Sequence, residues 1–85
     1  MKKFNYVIKD AVGIHARPAG LLVKEAKKYE SKITVSKDGK AAEARKLMAL
    51  MGLSVKCQDE VEVTVEGADE EKAFEEIKLF FENNL

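Results

Sequence analysis

The segment GIHARP, residues 13–18, holds the only histidine of the chain. Apolar residues recur at helical spacing from Ala19 onward, so His15 is predicted to lie just before the N-terminus of a helix. The first turn of a helix offers backbone N–H groups without internal partners and the positive end of the helix dipole, which together favour an anion. Imidazole is a competent nucleophile near neutral pH, and the guanidinium of Arg17 would suit phosphate oxygens. These residue types in this order are suited to accepting a phosphoryl group.

Other roles for the histidine compete with this one. A lone histidine before a helix is more often a capping or loop residue, so the local pattern does not by itself decide the role of His15. No second His or Cys stands at ligand spacing, and we therefore predict no metal site and no cofactor. Cys57 lies in the polar stretch 54–60, and we interpret it as a loop or turn residue rather than a redox site.

The composition limits the classes of protein to be considered. The chain has 85 residues, with 15 Lys plus Arg against 15 Asp plus Glu, and its length fits one domain, residues 1–85. The zero net charge and the lack of paired aromatics on the predicted strands disfavour a nucleic-acid partner. The start, MKKFNYVIKD, lacks the apolar segment of a signal peptide, and no stretch approaches the ~20 apolar residues of a membrane span. We therefore expect a cytoplasmic protein with no direct membrane insertion.

The hydrophobic periodicity predicts seven elements that would position His15. Alternating apolar residues predict strands at about residues 4–9, 32–36, 40–44 and 60–66. Helical spacing predicts helices at about residues 16–28, 46–53 and 70–82, the last with Asp69 as its N-cap. Asp38-Gly39 predicts a type I′ hairpin turn. The order β-α-β-β-α-β-α predicts an α+β sandwich of two layers with one solvated sheet face.

The stretch GIHARPAGLLVKEAKKYES, residues 13–31, closely resembles the active-site region of the HPr family. The members of this family are the histidine-containing phosphocarriers of the bacterial phosphoenolpyruvate-dependent sugar phosphotransferase system. The resemblance continues through ITVSKDGK, LMALMGLSV and VTVEGADEE and covers essentially the whole chain. It implies an open-faced β-sandwich, in which a four-stranded antiparallel sheet carries three helices on one face.

The same resemblance implies roles for the residues around the histidine. His15 would be phosphorylated at Nδ1 by Enzyme I, with phosphoenolpyruvate as the ultimate donor. The N–H groups of Ala16 and Arg17 would hold the phosphate, with Arg17 as its electrostatic partner and Pro18 setting the helix start. The group would then pass to sugar-specific IIA domains of permeases. We therefore expect a phosphoryl carrier rather than a turnover enzyme, and a monomer.

In the HPr family the short second helix forms an apolar docking patch beside the histidine. This helix carries five large apolar residues that cannot all face one side, and we expect Leu47, Met48 and Met51 to form the docking patch here. Met48 and Met51 are equally consistent with gap-filling core residues. Basic residues that would ring the patch and steer acidic partners, each also explicable as a solvated surface charge, are Lys24, Lys27, Arg45 and Lys46.

Position 46 departs from the family pattern. HPr proteins that are regulated by HPr kinase/phosphorylase carry a serine there, whereas this chain has Lys46. Lysine is not a substrate of that enzyme, and it is a poor N-cap whose charge opposes the helix dipole. We therefore predict no regulatory serine. Ala49 and Ser54 likewise replace glycines common in the family, which indicates a divergent or accessory member.

The alternative function belongs to another class, a non-catalytic regulatory module that kept the fold and docks on transcription factors or enzymes. Some relatives have lost the histidine and act only in this way. His15 and Arg17 are both present here, which favours phosphoryl transfer and leaves regulatory partners open as a second role. The sequence names neither the sugar nor the permease.

Overall fold

A computed structural model of the chain describes residues 1–85 and contains four strands and three helices. In chain order they are β1 (Lys2–Val7), α1 (Ala16–Ala26), β2 (Lys32–Lys37), β3 (Lys40–Glu43), α2 (Leu47–Gly52), β4 (Glu60–Glu66) and α3 (Glu70–Asn84). Every predicted element is present, with bounds that differ from the predicted ones by no more than two residues. The periodicity of the apolar residues therefore suffices to locate the elements along the chain.

The four strands form one antiparallel sheet in the order β1-β4-β2-β3. Phe4 of β1 lies opposite Val63 of β4, which in turn lies opposite Val35 of β2. Because side chains alternate along a strand, this row faces the core while the neighbouring row, with Asn5 and Glu62, faces solvent. The three helices cover the apolar face, which confirms the α+β open-faced β-sandwich implied by the family resemblance.

The core is centred on the contact between α3 and the sheet. Ala73, Ile77 and Phe81 of α3 are fully buried. The ring of Phe81 packs edge-on against Phe4 and Tyr6, with ring centres 5.7 and 5.6 Å away. Full burial of a large apolar side chain stabilises the fold by about 1.5–3 kcal/mol. At 15 residues α3 is the longest helix, and no helix is both long enough and apolar enough to cross a bilayer.

The hairpin between β2 and β3 contacts the loop that precedes β4. Asp38 and Gly39 have φ of 50° and 81°, the two positive values that the predicted type I′ turn requires. The neighbouring Lys37 donates to the Ser54 carbonyl at 2.9 Å and forms an ion pair with Asp59 at 2.8 Å. The hairpin is thereby tied to the loop before β4, which in turn contacts the segment that precedes α1.

The predicted N-cap position of Asp69 is confirmed, but its side chain does not cap the helix. Asp69 stands at the N-cap position of α3, but its side chain makes no bond to the first turn of that helix. Its carboxylate instead accepts hydrogen bonds from Glu30 and Ser31 in the turn between α1 and β2. Glu70 accepts a bond from the Gly67 N–H at 3.2 Å. A contact distant in sequence thus takes the place of the local cap.

Candidate functional site

His15 occupies the N-cap position of α1. Its backbone is extended, with φ −118° and ψ −174°, and its carbonyl accepts the Ala19 N–H at 2.9 Å, the first hydrogen bond of the helix. The imidazole forms no capping bond, and 39% of the side chain is exposed. Loop residues on one side and the helix start on the other therefore fix the backbone, while the ring remains accessible to another protein.

The first turn of α1 presents unpartnered donors beside this ring. The N–H groups of Ala16 and Arg17 find no acceptor in the protein, and Pro18 has no N–H to satisfy. Pro18 is buried. Its fixed φ matches the backbone of the first turn of a helix. The three residues predicted to hold a phosphate thus lie together at the helix start, where the dipole favours an anion.

Arg17 is exposed, and its guanidinium forms neither an ion pair nor a hydrogen bond with another residue. An arginine without a protein partner keeps all of its donors for a ligand, and its planar fork matches the geometry of phosphate oxygens. The helix also carries no acidic residue in its first turn. The positive charge at this helix start is therefore not neutralised from within the chain.

Gly13 allows the chain to approach the loop before β4 closely. Its φ is 86°, and a Cβ built on it would lie 2.3 Å from the Val55 carbonyl oxygen, so a side chain there is excluded. The next residue, Ile14, donates its N–H to the same oxygen at 3.0 Å and is itself buried. These contacts fix the backbone immediately before His15 against the loop that precedes β4.

Asp10 is a residue of the site that the sequence patterns did not single out. Its Oδ1 lies 3.8 Å from Nε2 of His15. A signal was present in the sequence, because Asp at the first position and Gly at the fourth are typical of a β-turn, here residues 10–13. The turn alone does not reveal that the carboxylate points toward the imidazole, since that depends on how the loop folds back over α1.

The short helix α2 divides its apolar residues between core and surface. Leu50 and Leu53 are buried, whereas Leu47, Met48 and Met51 are 38, 77 and 37% exposed. The exposed three are the residues predicted for the docking patch. Helix α2 packs against α1, so the docking patch lies on the helix that neighbours the one beginning after His15.

The basic residues predicted to ring the patch fall into two groups. Lys24, Lys27 and Lys46 are exposed and form no ion pairs. Arg45 contradicts the prediction, because its half-buried guanidinium donates to the backbone carbonyls of Tyr29 and Ser31. Its donors satisfy the turn after α1 and are not available to a partner protein.

Lys46 stands at the N-cap position of α2, as the alignment with the family predicts. Its backbone is extended, its side chain is exposed and makes no capping bond, and the first turn of the helix has no acidic residue. A lysine here adds positive charge at the positive end of the helix dipole. The helix therefore begins without the stabilisation that a serine or aspartate at this position would give.

The other residues considered for metal or redox chemistry are the metal-ligand types and Cys57. No three His, Cys, Asp or Glu side chains lie together in a way that could hold a metal ion. Cys57 is half-buried in a turn, with its Sγ 3.9 Å from the Lys9 carbonyl oxygen. The start of α1 is thus where the chemically competent residues of the chain converge.

Comparison with known proteins places this arrangement in a family. The family described as "PTS HPr component phosphorylation site" matches residues 2–83. The phosphocarrier protein HPr of Mycoplasma genitalium is 44% identical over 85 residues, which cover 99% of this chain and 97% of that protein. A crystal structure of HPr from Thermoanaerobacter tengcongensis superposes with a TM-score of 0.92 at 40% identity, covering 98% of this chain and 93% of the other.

A third relative bears on assembly. The catabolite repression protein Crh of Bacillus subtilis, 33% identical, superposes with a TM-score of 0.79 and covers 100% of this chain and 98% of its own. That protein is described as a dimer with a swapping domain. The fold of this chain is therefore shared by proteins that differ in assembly.

The one-sided sandwich, with an exposed histidine at a helix start, is the architecture of a small phosphocarrier of this family. The chain belongs to the HPr family of phosphotransferase-system phosphocarriers.

Proposed function

We propose that the chain accepts a phosphoryl group from phospho-Enzyme I on Nδ1 of His15 and passes it to sugar-specific IIA domains of permeases in the cytoplasm. The observation that carries the proposal is the exposed imidazole beside the unpartnered N–H groups of Ala16 and Arg17. In the first step the Nδ1 lone pair attacks phosphorus, and the electron pair of the bond between phosphorus and Enzyme I returns to the donor atom of Enzyme I. The second step repeats this displacement with a nucleophile of the IIA domain.

The helix start would stabilise the phosphorylated state by electrostatics. A phosphoryl group brings close to two negative charges and three acceptor oxygens. The two N–H donors, the helix dipole and the guanidinium of Arg17 all favour negative charge at this point. Because these groups are in place before transfer, little reorganisation accompanies the arrival of the charge. A carrier needs moderate stabilisation of this kind, since the group must also leave.

Partner recognition is proposed for the docking patch of Leu47, Met48 and Met51. Exposed apolar side chains on one short helix provide area that a partner can bury, and flexible methionines adapt to partners of different shape. The unpaired amines of Lys24 and Lys27 on α1 would accelerate encounter with acidic partners. We propose no nucleic-acid partner and a monomeric carrier, which light scattering at increasing protein concentration tests against a dimer like that of Crh.

Regulation by serine phosphorylation is proposed to be absent, because Lys46 occupies the position of the regulatory serine. Incubation with HPr kinase/phosphorylase and ATP is expected to leave the chain unmodified, while a serine-containing HPr in the same assay is phosphorylated. Stoichiometric phosphoserine on this chain would contradict the proposal.

The transfer function is tested by incubating the chain with Enzyme I and phosphoenolpyruvate. We expect one acid-labile phosphate on the wild type, none on His15→Ala, and the wild-type amount on Asn5→Ala, an exposed control on the open sheet face. Onward transfer is followed with a panel of IIA domains. Equal phosphorylation of His15→Ala would exclude His15 as the acceptor. A wild type that binds other proteins but takes no phosphate would favour the non-catalytic regulatory module.

A further inference from the structure

We propose that Asp10 is a positioning residue for phosphoryl transfer: its carboxylate holds the proton of the neutral imidazole on Nε2 of His15 and leaves Nδ1 as the nucleophile. This inference rests on the proposed function. It starts from the 3.8 Å separation of Asp10 Oδ1 and His15 Nε2, and neither residue has another oppositely charged side chain within 4 Å.

The carboxylate is fixed by the loop that carries it. The Asp10 N–H donates to the Leu85 carbonyl oxygen at 2.8 Å, and the Asp10 carbonyl accepts the Gly13 N–H at 3.1 Å. Its Oδ1 also accepts the Val12 N–H at 2.9 Å. Three bonds thus hold the backbone and side chain of one residue. Little conformational entropy remains to be lost when the carboxylate acts on the imidazole.

The consequence concerns which nitrogen carries the proton. Neutral imidazole has one N–H donor and one lone pair, and a carboxylate beside Nε2 favours the tautomer with the proton on Nε2. Nδ1 then carries the lone pair that attacks phosphorus. The same relation, in which a carboxylate selects the tautomer of a catalytic histidine, operates in the Ser-His-Asp triad.

The Asp10 carboxylate also stabilises the positive charge that develops on the His15 ring during phosphoryl transfer. As the Nδ1–P bond forms and the bond between phosphorus and Enzyme I breaks, the proton stays on Nε2 and the ring of His15 gains positive charge. A fixed negative charge 3.8 Å away stabilises that product more than the neutral reactant. The separation exceeds that of a hydrogen bond, roughly 2.7–3.2 Å, and catalytic bonds often tighten to this range in the reacting complex.

Two substitutions separate the charge of Asp10 from its role in the turn. Asp10→Asn keeps an oxygen that can accept the Val12 N–H but removes the negative charge that faces Nε2. Without that charge the preference for the proton on Nε2 weakens, and the tautomer with the proton on Nδ1 gains population. Asp10→Ala removes both the charge and the turn bond. The matched control is Glu66→Gln, which removes one carboxylate at the far end of β4, where Glu66 lies opposite Lys32.

The experiment combines single-turnover transfer from phospho-Enzyme I with ¹⁵N NMR of the imidazole above neutral pH. For Asp10→Asn we expect the rate at saturating Enzyme I to fall by about 10- to 150-fold, the effect of one lost hydrogen bond to a charged group. The Enzyme I concentration at half-maximal rate should stay unchanged, and the NMR spectrum should shift toward the Nδ1-protonated tautomer. Asp10→Ala should also be slower, and Glu66→Gln should match the wild type.

Two results would overturn the inference. One is a wild-type rate and tautomer in Asp10→Asn, and the other is a rate loss seen only as weaker binding of Enzyme I, which would make Asp10 a docking residue. The failure of the proposed function looks different, because the wild type itself would then take no phosphate. The tautomer comparison needs no partner protein and still reports on Asp10 in that case.

Discussion

The carboxylate of Asp69 and the hydroxyl of Ser31 form a hydrogen bond of 2.5 Å between residues 38 positions apart in the chain. The same carboxylate accepts the N–H groups of Ser31 at 2.9 Å and Glu30 at 3.0 Å. Ser31 is fully buried, so its hydroxyl has no access to water as an alternative partner. The pair fastens the turn between α1 and β2 to the start of α3, and thereby joins the helix that carries His15 to the remainder of the helical layer.

Removal of this carboxylate should lower stability in a pH-dependent way. Hydrogen bonds from Ser31 and Glu30 hold the pKa of Asp69 below its ordinary value of 3.8. A lowered carboxylate pKa means that the stabilisation is present above about pH 4 and is lost as the pH falls through the folded-state pKa. We expect Asp69→Ala to be less stable than the wild type at pH 7, with a difference that narrows in acid. Urea denaturation between pH 2 and 7 measures it.

The design of that experiment isolates one carboxylate from others. The pKa values of Asp59 and Glu70 are also lowered, by hydrogen bonds from Lys37 and from the N-terminal amine, so the wild type loses stability in acid for several reasons. The free energy of unfolding is plotted against pH for each protein. The difference between the wild-type and Asp69→Ala curves is the pH-dependent stability that Asp69 contributes. Asp38→Asn, at the exposed hairpin turn, serves as a control. A difference from the wild type that is independent of pH would show that the charge of Asp69 contributes nothing.

Lys46→Ser should stabilise the chain. A serine at the N-cap of α2 can accept a hydrogen bond from the first turn, which typically adds about 1 kcal/mol to the free energy of unfolding. The matched variant Lys46→Ala removes the unfavourable charge at the dipole without supplying a cap. Chemical denaturation should therefore rank the proteins with Lys46→Ser above Lys46→Ala. Equal stability of the two variants would mean that α2 gains nothing from a capping side chain.

Arg17→Ala should slow phosphoryl transfer without changing the fold. The guanidinium has no partner in the protein, so its loss leaves stability within about 0.5 kcal/mol of the wild type, as for surface substitutions elsewhere. Loss of one charged donor at a developing phosphate is expected to lower the transfer rate by about 10- to 100-fold. Arg17→Lys keeps the charge but not the planar fork, so its transfer rate should lie between those of the wild type and Arg17→Ala.

The control for this series is Lys32→Ala, an exposed cation on the strand opposite Glu66. Single-turnover transfer from phospho-Enzyme I and thermal unfolding are measured on all variants. Transfer by Arg17→Ala at the wild-type rate would remove Arg17 from the phosphate site.

The sequence was sufficient where local patterns decide structure. Strand alternation, the helical spacing after Pro18 and the Asp38-Gly39 turn each depend on neighbouring residues, and the structure confirms all three. The GIHARP segment likewise indicated that a helix begins just after His15. These features do not require knowledge of how the chain folds back on itself.

The sequence did not predict the contacts of side chains whose partners are distant in the chain. Asp69 has the local signature of a cap, yet its carboxylate accepts the N–H groups of Glu30 and Ser31 and the Ser31 hydroxyl, in a turn 38 residues away in the chain. Arg45 looks like a surface charge, yet it satisfies carbonyls at Tyr29 and Ser31. The position of Asp10 beside the imidazole likewise depends on tertiary folding of the loop.

Met48→Glu should weaken partner binding while leaving the fold intact. Met48 is 77% exposed, so a charged side chain there meets water in the free protein, but in a complex it would have to be desolvated against an apolar surface. We expect the Enzyme I concentration at half-maximal transfer to rise by at least about 5-fold, as for an interface residue whose truncation costs more than about 1 kcal/mol. The maximal rate should change little, because Met48 takes no part in the displacement at His15.

The control distinguishes a docking site from general loss of exposed apolar surface. Leu79→Glu places the same charge on α3 at a leucine that is 49% exposed, and it should transfer as the wild type does. Leu50→Ala, in the buried half of α2, should instead lower the free energy of unfolding by about 2–5 kcal/mol. If Met48→Glu and Leu79→Glu weakened transfer equally, the effect would be one of net charge. If neither variant weakened transfer, the docking patch on α2, the helix packed against α1, would not be the surface that Enzyme I contacts. Partners would then have to approach His15 from another side.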